Sequence, residues 1–221
     1  LQRPTFITFT GLDAWTDLDR VEALSSRYPI EWGVLFSPDR QGNDPRYPDL
    51  IVVRRITDRR LKLAAHLCGG HAKAILAGED CPSIAGLLAG AFQRFQVNTT
   101  DPSADPAVVQ SFARDMNIAG QSILQTRSGF PSDPRVDWLY DRSGGRGEAP
   151  AAWPVPEPGA AIVGYAGGLG PDTIAQALDT ISEQHPVGRP FWIDMETHIR
   201  TDGRLDLDKC EAVCRTVFAH S

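Results

Sequence analysis

The sequence predicts a closed barrel of eight parallel strands with intervening helices, a (β/α)8 or TIM barrel, and three observations carry that prediction. Eight short β-rich runs recur along the 221 residues. The runs are continuous in their apolar character, as strands buried on both faces are. Helix-patterned segments or long loops separate them, the alternation that builds a parallel sheet. The competing arrangement is an open doubly wound sheet, which rarely needs eight strands this brief. At 42% hydrophobic and 23% charged residues, the chain is expected to fold as one domain over residues 1–221.

The strands are expected at Thr5 to Thr10, Glu31 to Ser37, Leu61 to Cys68, Arg94 to Thr99, Gln121 to Arg127, Val136 to Asp141, Ala160 to Ala166 and Phe191 to Glu196. Helices are expected at Asp17 to Arg27, Asp49 to Asp58, Gly70 to Phe92 with a break at Cys81-Pro82, Pro106 to Ala119, Pro171 to Gln184 and Asp206 to His220. Asp17 and Asp206 stand where an N-cap carboxylate would accept from first-turn amides. Pro106 and Pro171 take first-turn positions that need no donor. The helix after the fifth strand is short or missing. The Pro-rich stretch from Pro150 to Pro158 reads as a long loop at the active face.

Charge and composition exclude several function classes. A formal net charge of -6 gives no basic footprint for nucleic acid. No apolar run of about 18 residues marks a membrane span, and the first residues run straight into a strand pattern, so a cytoplasmic location is expected. Cys68, Cys81, Cys210 and Cys214 are expected as thiols, the last two on one helix face. The partner expected is a small, anionic molecule, with the chain a monomer or homodimer and no cofactor.

In such a barrel the polar residues at the carboxyl ends of the strands face one pocket. They are Thr8 and Thr10, Arg46, His66 and Cys68, Asn98, Gln125 and Arg127, Asp141, Asp194 and Glu196. Asp141 ends an apolar strand, where an acid is costly unless it is paired or used. It serves either as a general acid or as a cap on the Ser143-Gly144 turn. Gly144-Gly145-Arg146-Gly147 and Gly167-Gly168 form two glycine-rich turns after adjacent strands, suited to a phosphate. Asp194 and Glu196 alternate on one strand and point to one side. His66, Cys68 and His71 do not follow a zinc spacing. The tryptophans read as core residues, with Trp153 the exception because it lies in a loop.

With these residues in place, the chain resembles the phosphoribosylanthranilate isomerase family over most of its length. The likeness lies in Asp141 with its Gly-Gly-x-Gly loop, in Ala166-Gly167-Gly168-Leu169 ending strand seven, in Asp44-Pro45-Arg46-Tyr47 after strand two, and in Ile193-Asp194-Met195 on strand eight. Three positions depart from the family pattern. Thr10-Gly11 stands where the family has Cys-Gly with its catalytic base, Glu196-Thr197-His198 where it has Ser-Ser-Gly, and Asn98-Thr99 where it has His-Gly.

The resemblance implies a cofactor-free Amadori-type aldose–ketose isomerisation. Asp141 would be the general acid, with Thr10, Arg46 and Asp194 completing the catalytic group. The substrate and its phosphate would be held by Gly144, Gly145, Arg146, Gly167, Gly168, Asn98, Arg127, Glu196 and His198. Two alternatives stand beside it. One is a non-catalytic small-molecule-binding barrel; the other is a metal-assisted lyase or hydrolase with Asp194, Glu196, His198 and His66 as ligands.

Overall fold

Eight parallel strands pair in chain order, and the eighth returns to the first, so the sheet closes. They are β1 (Phe6–Thr10), β2 (Ile30–Phe36), β3 (Leu63–Leu67), β4 (Arg94–Val97), β5 (Gln121–Thr126), β6 (Asp137–Asp141), β7 (Val163–Ala166) and β8 (Phe191–Met195). The expected (β/α)8 barrel is therefore the observed fold. The computed structural model describes residues 2–79, 81–144, 146–159 and 162–219. The expected strand start at Ala160, helix end at His220 and phosphate contact at Gly145 lie outside these.

The outer layer consists of α1 (Leu18–Arg27), α2 (Leu50–Thr57), α3 (Gly70–Leu76), α4 (Pro82–Ala91), α5 (Pro106–Asp115), α6 (Ile174–Gln184) and α7 (Leu207–Phe218). Asp17, Asp49, Asp105 and Asp206 cap their helices by accepting from first-turn amides. Helix α6 starts three residues after Pro171, with Thr173 at the cap position. The Thr173 hydroxyl donates at 2.7 Å to the Gly168 carbonyl, so the intervening residues belong to the turn rather than the helix. Between β8 and α7 the chain adds a 3-10 turn (Thr197–Ile199) and a small hairpin, β9 (Arg200–Thr201) with β10 (Arg204–Leu205), that the sequence reading lacks.

Among the described residues no helix follows β5 or β6. Rings cover that sector instead. Phe130, from the loop after β5, and Trp153, from the loop after β6, pack edge-on against Tyr140 and Tyr165. His185 and Phe191 extend the cluster. Trp153 thus lies in a loop, as expected, and yet belongs to the core, whereas Trp15, expected in the core, is exposed. The loop bends down the barrel wall, and apolar area removed from water there replaces what a helix would bury.

The barrel interior is polar to an extent that the apolar reading of the strands did not anticipate. Its apolar floor is Ile123, Leu139, Ala166 and Trp192, joined by Phe6 and Ile162. Beside it, Arg94 pairs with Glu31 at 3.0 Å and Asp137 at 3.6 Å, while Thr8 donates to Glu31 at 2.8 Å. The Arg94 guanidinium lies 4.1 Å from the Trp192 ring centroid, a desolvated cation–π contact. The remaining apolar side chains form one outer core between barrel and helices.

Candidate active site

A cavity of about 500 Å³ opens at the carboxyl ends of the strands. Strand alternation delivers Thr10, His66, Gln96, Gln125, Asp141 and Asp194 to its inner wall, each from a different strand. Of the residues singled out in the sequence, Arg46, Cys68, Asn98, Arg127, Gly144, Gly167, Gly168, Glu196 and His198 also line it. Arg146 does not: it is exposed and pairs with Glu148 at 3.3 Å. Arg40, Lys73 and Gln96 line the cavity without having been singled out. Gln96 was legible, because it alternates with Arg94 on β4 and with Asn98 just beyond it; Arg40 and Lys73 carried no motif.

Asp141 and Asp194 occupy one level. Both are in register with Ala166 of β7, which separates them by two strand spacings, about 10 Å between Cα atoms. Their surroundings differ. Asp141 accepts from Gln125 Nε2 at 2.9 Å, Ser143 Oγ at 2.7 Å and the Gly144 amide at 3.1 Å. The capping arrangement is therefore realised, and the carboxyl still faces the cavity. Asp194 accepts from Thr10 Oγ1 at 2.9 Å, and burial drives its carboxyl well above the usual carboxylate range, which favours the protonated form. His66 stands across from it; burial, reinforced by the Arg94 charge, holds the imidazole down to about 3 and therefore neutral.

Just beyond the end of β8, Arg46 already faces two carboxyl groups, Asp44 at 3.2 Å and Glu196 at 3.5 Å. Burial raises the Glu196 carboxyl, against the opposing pull of Arg200 and Arg46. The Cys68 thiol is also pushed up by burial, while Asn98 Nδ2 donates to its sulfur at 3.1 Å.

The glycine turns are tightly packed against their neighbours. A Cβ on Gly168, whose φ is +65°, would lie 2.5 Å from the Ala149 amide nitrogen. One on Gly170 would lie 2.5 Å from His198 Cβ. His198 Nε2 in turn donates at 2.8 Å to the Gly147 carbonyl. Among the described residues, no three His, Cys, Asp or Glu side chains are placed to hold a metal ion, so Asp194, Glu196, His198 and His66 do not form a ligand set. No described helix is long and apolar enough to cross a membrane.

No protein-family model and no curated protein sequence matches the chain. Solved structures do. Phosphoribosylanthranilate isomerase from Thermotoga maritima is similar with a TM-score of 0.63 at 15% identity, over 97% of this chain and 100% of that one. N-(5'-phosphoribosyl)anthranilate isomerase from Pyrococcus furiosus gives 0.61 at 15% identity, covering 96% and 98%. 3-Hexulose-6-phosphate synthase from Salmonella typhimurium gives 0.52 at 11% identity over 100% of both chains. At such identities the shared property is the barrel fold.

Proposed function

We propose that the chain is an isomerase of the aldose–ketose type, moving a proton within a small sugar-like substrate in the cavity at the strand ends. The observation that carries this reading is the pairing of Asp141 and Asp194 at one level in unlike surroundings. Two carboxyl groups whose environments differ can divide acid and base work between them.

The hydrogen bonds favour a division opposite to the one implied by the family resemblance. Asp141, held by Gln125, Ser143 and the Gly144 amide, is oriented as the acceptor for a proton leaving carbon. Asp194, whose protonated form burial favours, supplies a proton to the substrate oxygen or nitrogen. The C–H electron pair becomes the new double bond; in the return half Asp141 hands its proton to the neighbouring carbon and Asp194 recovers one from the second hydroxyl, so both groups end as they began. Thr10 has no thiolate to offer and instead orients Asp194. Arg40, Lys73 and Arg127 line the same cavity, which suits an anionic substituent.

The test is incubation with freshly generated phosphoribosylanthranilate, followed by loss of anthranilate fluorescence. Conversion that both Asp141→Asn and Asp194→Asn abolish supports the isomerase reading; conversion unaffected by either refutes the assignment. Thr10, standing where the family resemblance expects a thiolate base, favours a second reading, a barrel that binds without converting. Saturable binding by calorimetry with no turnover would select it.

A further inference from the structure

The cavity is electrically two-sided, and the proton chemistry proposed above uses only one side. Its carboxyl groups, Asp141, Asp194 and Glu196, come from the ends of β6 and β8. Its cations come from the other half of the ring: Arg40 after β2, Lys73 on α3 and Arg127 just past β5. Arg46 is already engaged by Asp44 and Glu196. Arg40 rests on Tyr47, donating to its hydroxyl at 3.3 Å with its guanidinium 5.4 Å from the ring centroid. Among the described residues, neither Lys73 nor Arg127 has an ion pair or a hydrogen-bond partner for its side chain.

Arg127 is held in place without being paired. It is half-buried; its Nε is covered, while Nη1 and Nη2 remain open to the cavity. Gly144 seats it. A Cβ at that position would overlap Nη2 of Arg127 and lie 2.9 Å from its Cζ, so the guanidinium takes the place of a side chain. Gly144 has a φ of +60°, and its amide donates to Asp141 at 3.1 Å. One turn therefore orients the Asp141 carboxyl on one side and seats the Arg127 fork on the other. A guanidinium partly withdrawn from water, fixed in direction and lacking a carboxylate is suited to receive an oxyanion.

We infer that Arg127 and Lys73 form a phosphate subsite over the end of β4, on the side of the cavity away from the Gly167–Gly168 turn. Barrel order groups its parts: Lys73, Thr99 with Thr100, and Arg127 follow three consecutive strands, β3, β4 and β5, and all line the cavity. Thr99 Oγ1 accepts from the Asp101 amide at 3.0 Å, which leaves its O–H free to donate. A phosphate monoester carries nearly two charges and three free oxygens, enough for the fork on one flank, the ammonium on the other and a hydroxyl between. A carboxylate would leave one cation unmet. The inference rests on the isomerase reading and narrows its substrate to a sugar phosphate, bound with its phosphate at the β4–β5 rim and its reacting carbons toward Asp141 and Asp194. This is the reverse of the orientation the family resemblance implies. The glycine turns offer amides, but they stand among the carboxyl groups, where a dianion is disfavoured.

The experiment titrates 15N-labelled protein with inorganic phosphate and compares D-ribulose 5-phosphate with D-ribulose by calorimetry. Phosphate should shift the amides of Thr99, Thr100 and Arg127. Arg127→Gln should weaken binding of phosphate and of D-ribulose 5-phosphate about 10–100-fold and leave D-ribulose unaffected, with Arg127→Lys recovering part of the loss. Lys73→Met, at an exposed position, tests the subsite without disturbing the β5 turn and should weaken the phosphorylated ligand about two- to fivefold. Shifts confined to Gly167 and Gly168, or wild-type affinity in both Arg127→Gln and Lys73→Met, overturn the subsite. So does the absence of any response to phosphate and D-ribulose 5-phosphate. The isomerase reading is judged separately, by conversion that depends on Asp141 and Asp194. Conversion unaffected by those residues removes that reading while the phosphate shifts still establish the subsite.

Discussion

Asp141 and Asp194 flank Ala166 at a single level of the barrel, and they meet the cavity in different states of hydrogen bonding. The relationship arises from register alone, since neither residue is near the other in sequence. It makes the carboxyl pair the first place to test.

Asp141→Asn keeps the side-chain volume and removes the proton acceptor. Turnover of an aldose–ketose substrate should fall by about 10²–10⁴-fold, the usual worth of a positioned acid or base. Steady-state kcat measured beside the thermal midpoint separates this from a loss of fold, which should be small.

Trp153 stands in for part of a missing helix, buried at 7% exposure against Tyr140 and Tyr165. Trp153→Ala should cost about 3–5 kcal/mol in a denaturant titration, the range for emptying a large aromatic site. An exposed loop tryptophan would cost almost nothing, so the measurement decides between the two descriptions of that loop.

Gly164 points into the barrel at the Trp192 indole, and a Cβ there would overlap the ring system. Trp192 is 1% exposed and stacked on Arg94, so it has nowhere to go. Gly164→Ala should therefore destabilise the barrel by about 1–3 kcal/mol or more, read as a lowered unfolding midpoint.

The ion network under the cavity sets a pH dependence. Burial lifts the Asp137 carboxyl from 3.8 to about 6, against the pull of Arg94. The folded chain thus holds a proton that the unfolded chain releases, and this stabilisation is present at pH below about 4 and lost as pH rises toward 6. Asp194, displaced in the same direction, adds the same sign. Asp137→Asn should lose this component. The thermal midpoint of the variant, plotted against that of wild type, should gain relative to it from pH 4 to pH 7; a constant offset would contradict the assignment.

The strands were legible because β-rich runs bounded by turn residues survive any ambiguity about which face looks inward. Their inner sides were harder to read. Thr8, Glu31, Gln96 and Asp137 each stand between apolar neighbours, an alternation that reads as a strand with one wet face, yet each is buried inside the barrel. The site residues at strand ends followed from the barrel itself. What escaped were contributions set by loop path: Arg40 and Lys73 on the rim, the exposed Arg146, and Trp153 folded back onto the wall. Local pattern cannot specify where a helix-free connection travels, because nothing in its spacing says which surface it will cover.

The connection after β6 supplies Ser143, Gly144 and Gly147 to the cavity rim and then buries Trp153 in the outer wall. It is a span between two abutments rather than a free-ended arm. Between the two, Ala149 packs against Gly168, so this side of the cavity mouth is tied to the strand-seven turn as well as to the wall. The same indole that seals the barrel's side anchors one edge of its entrance.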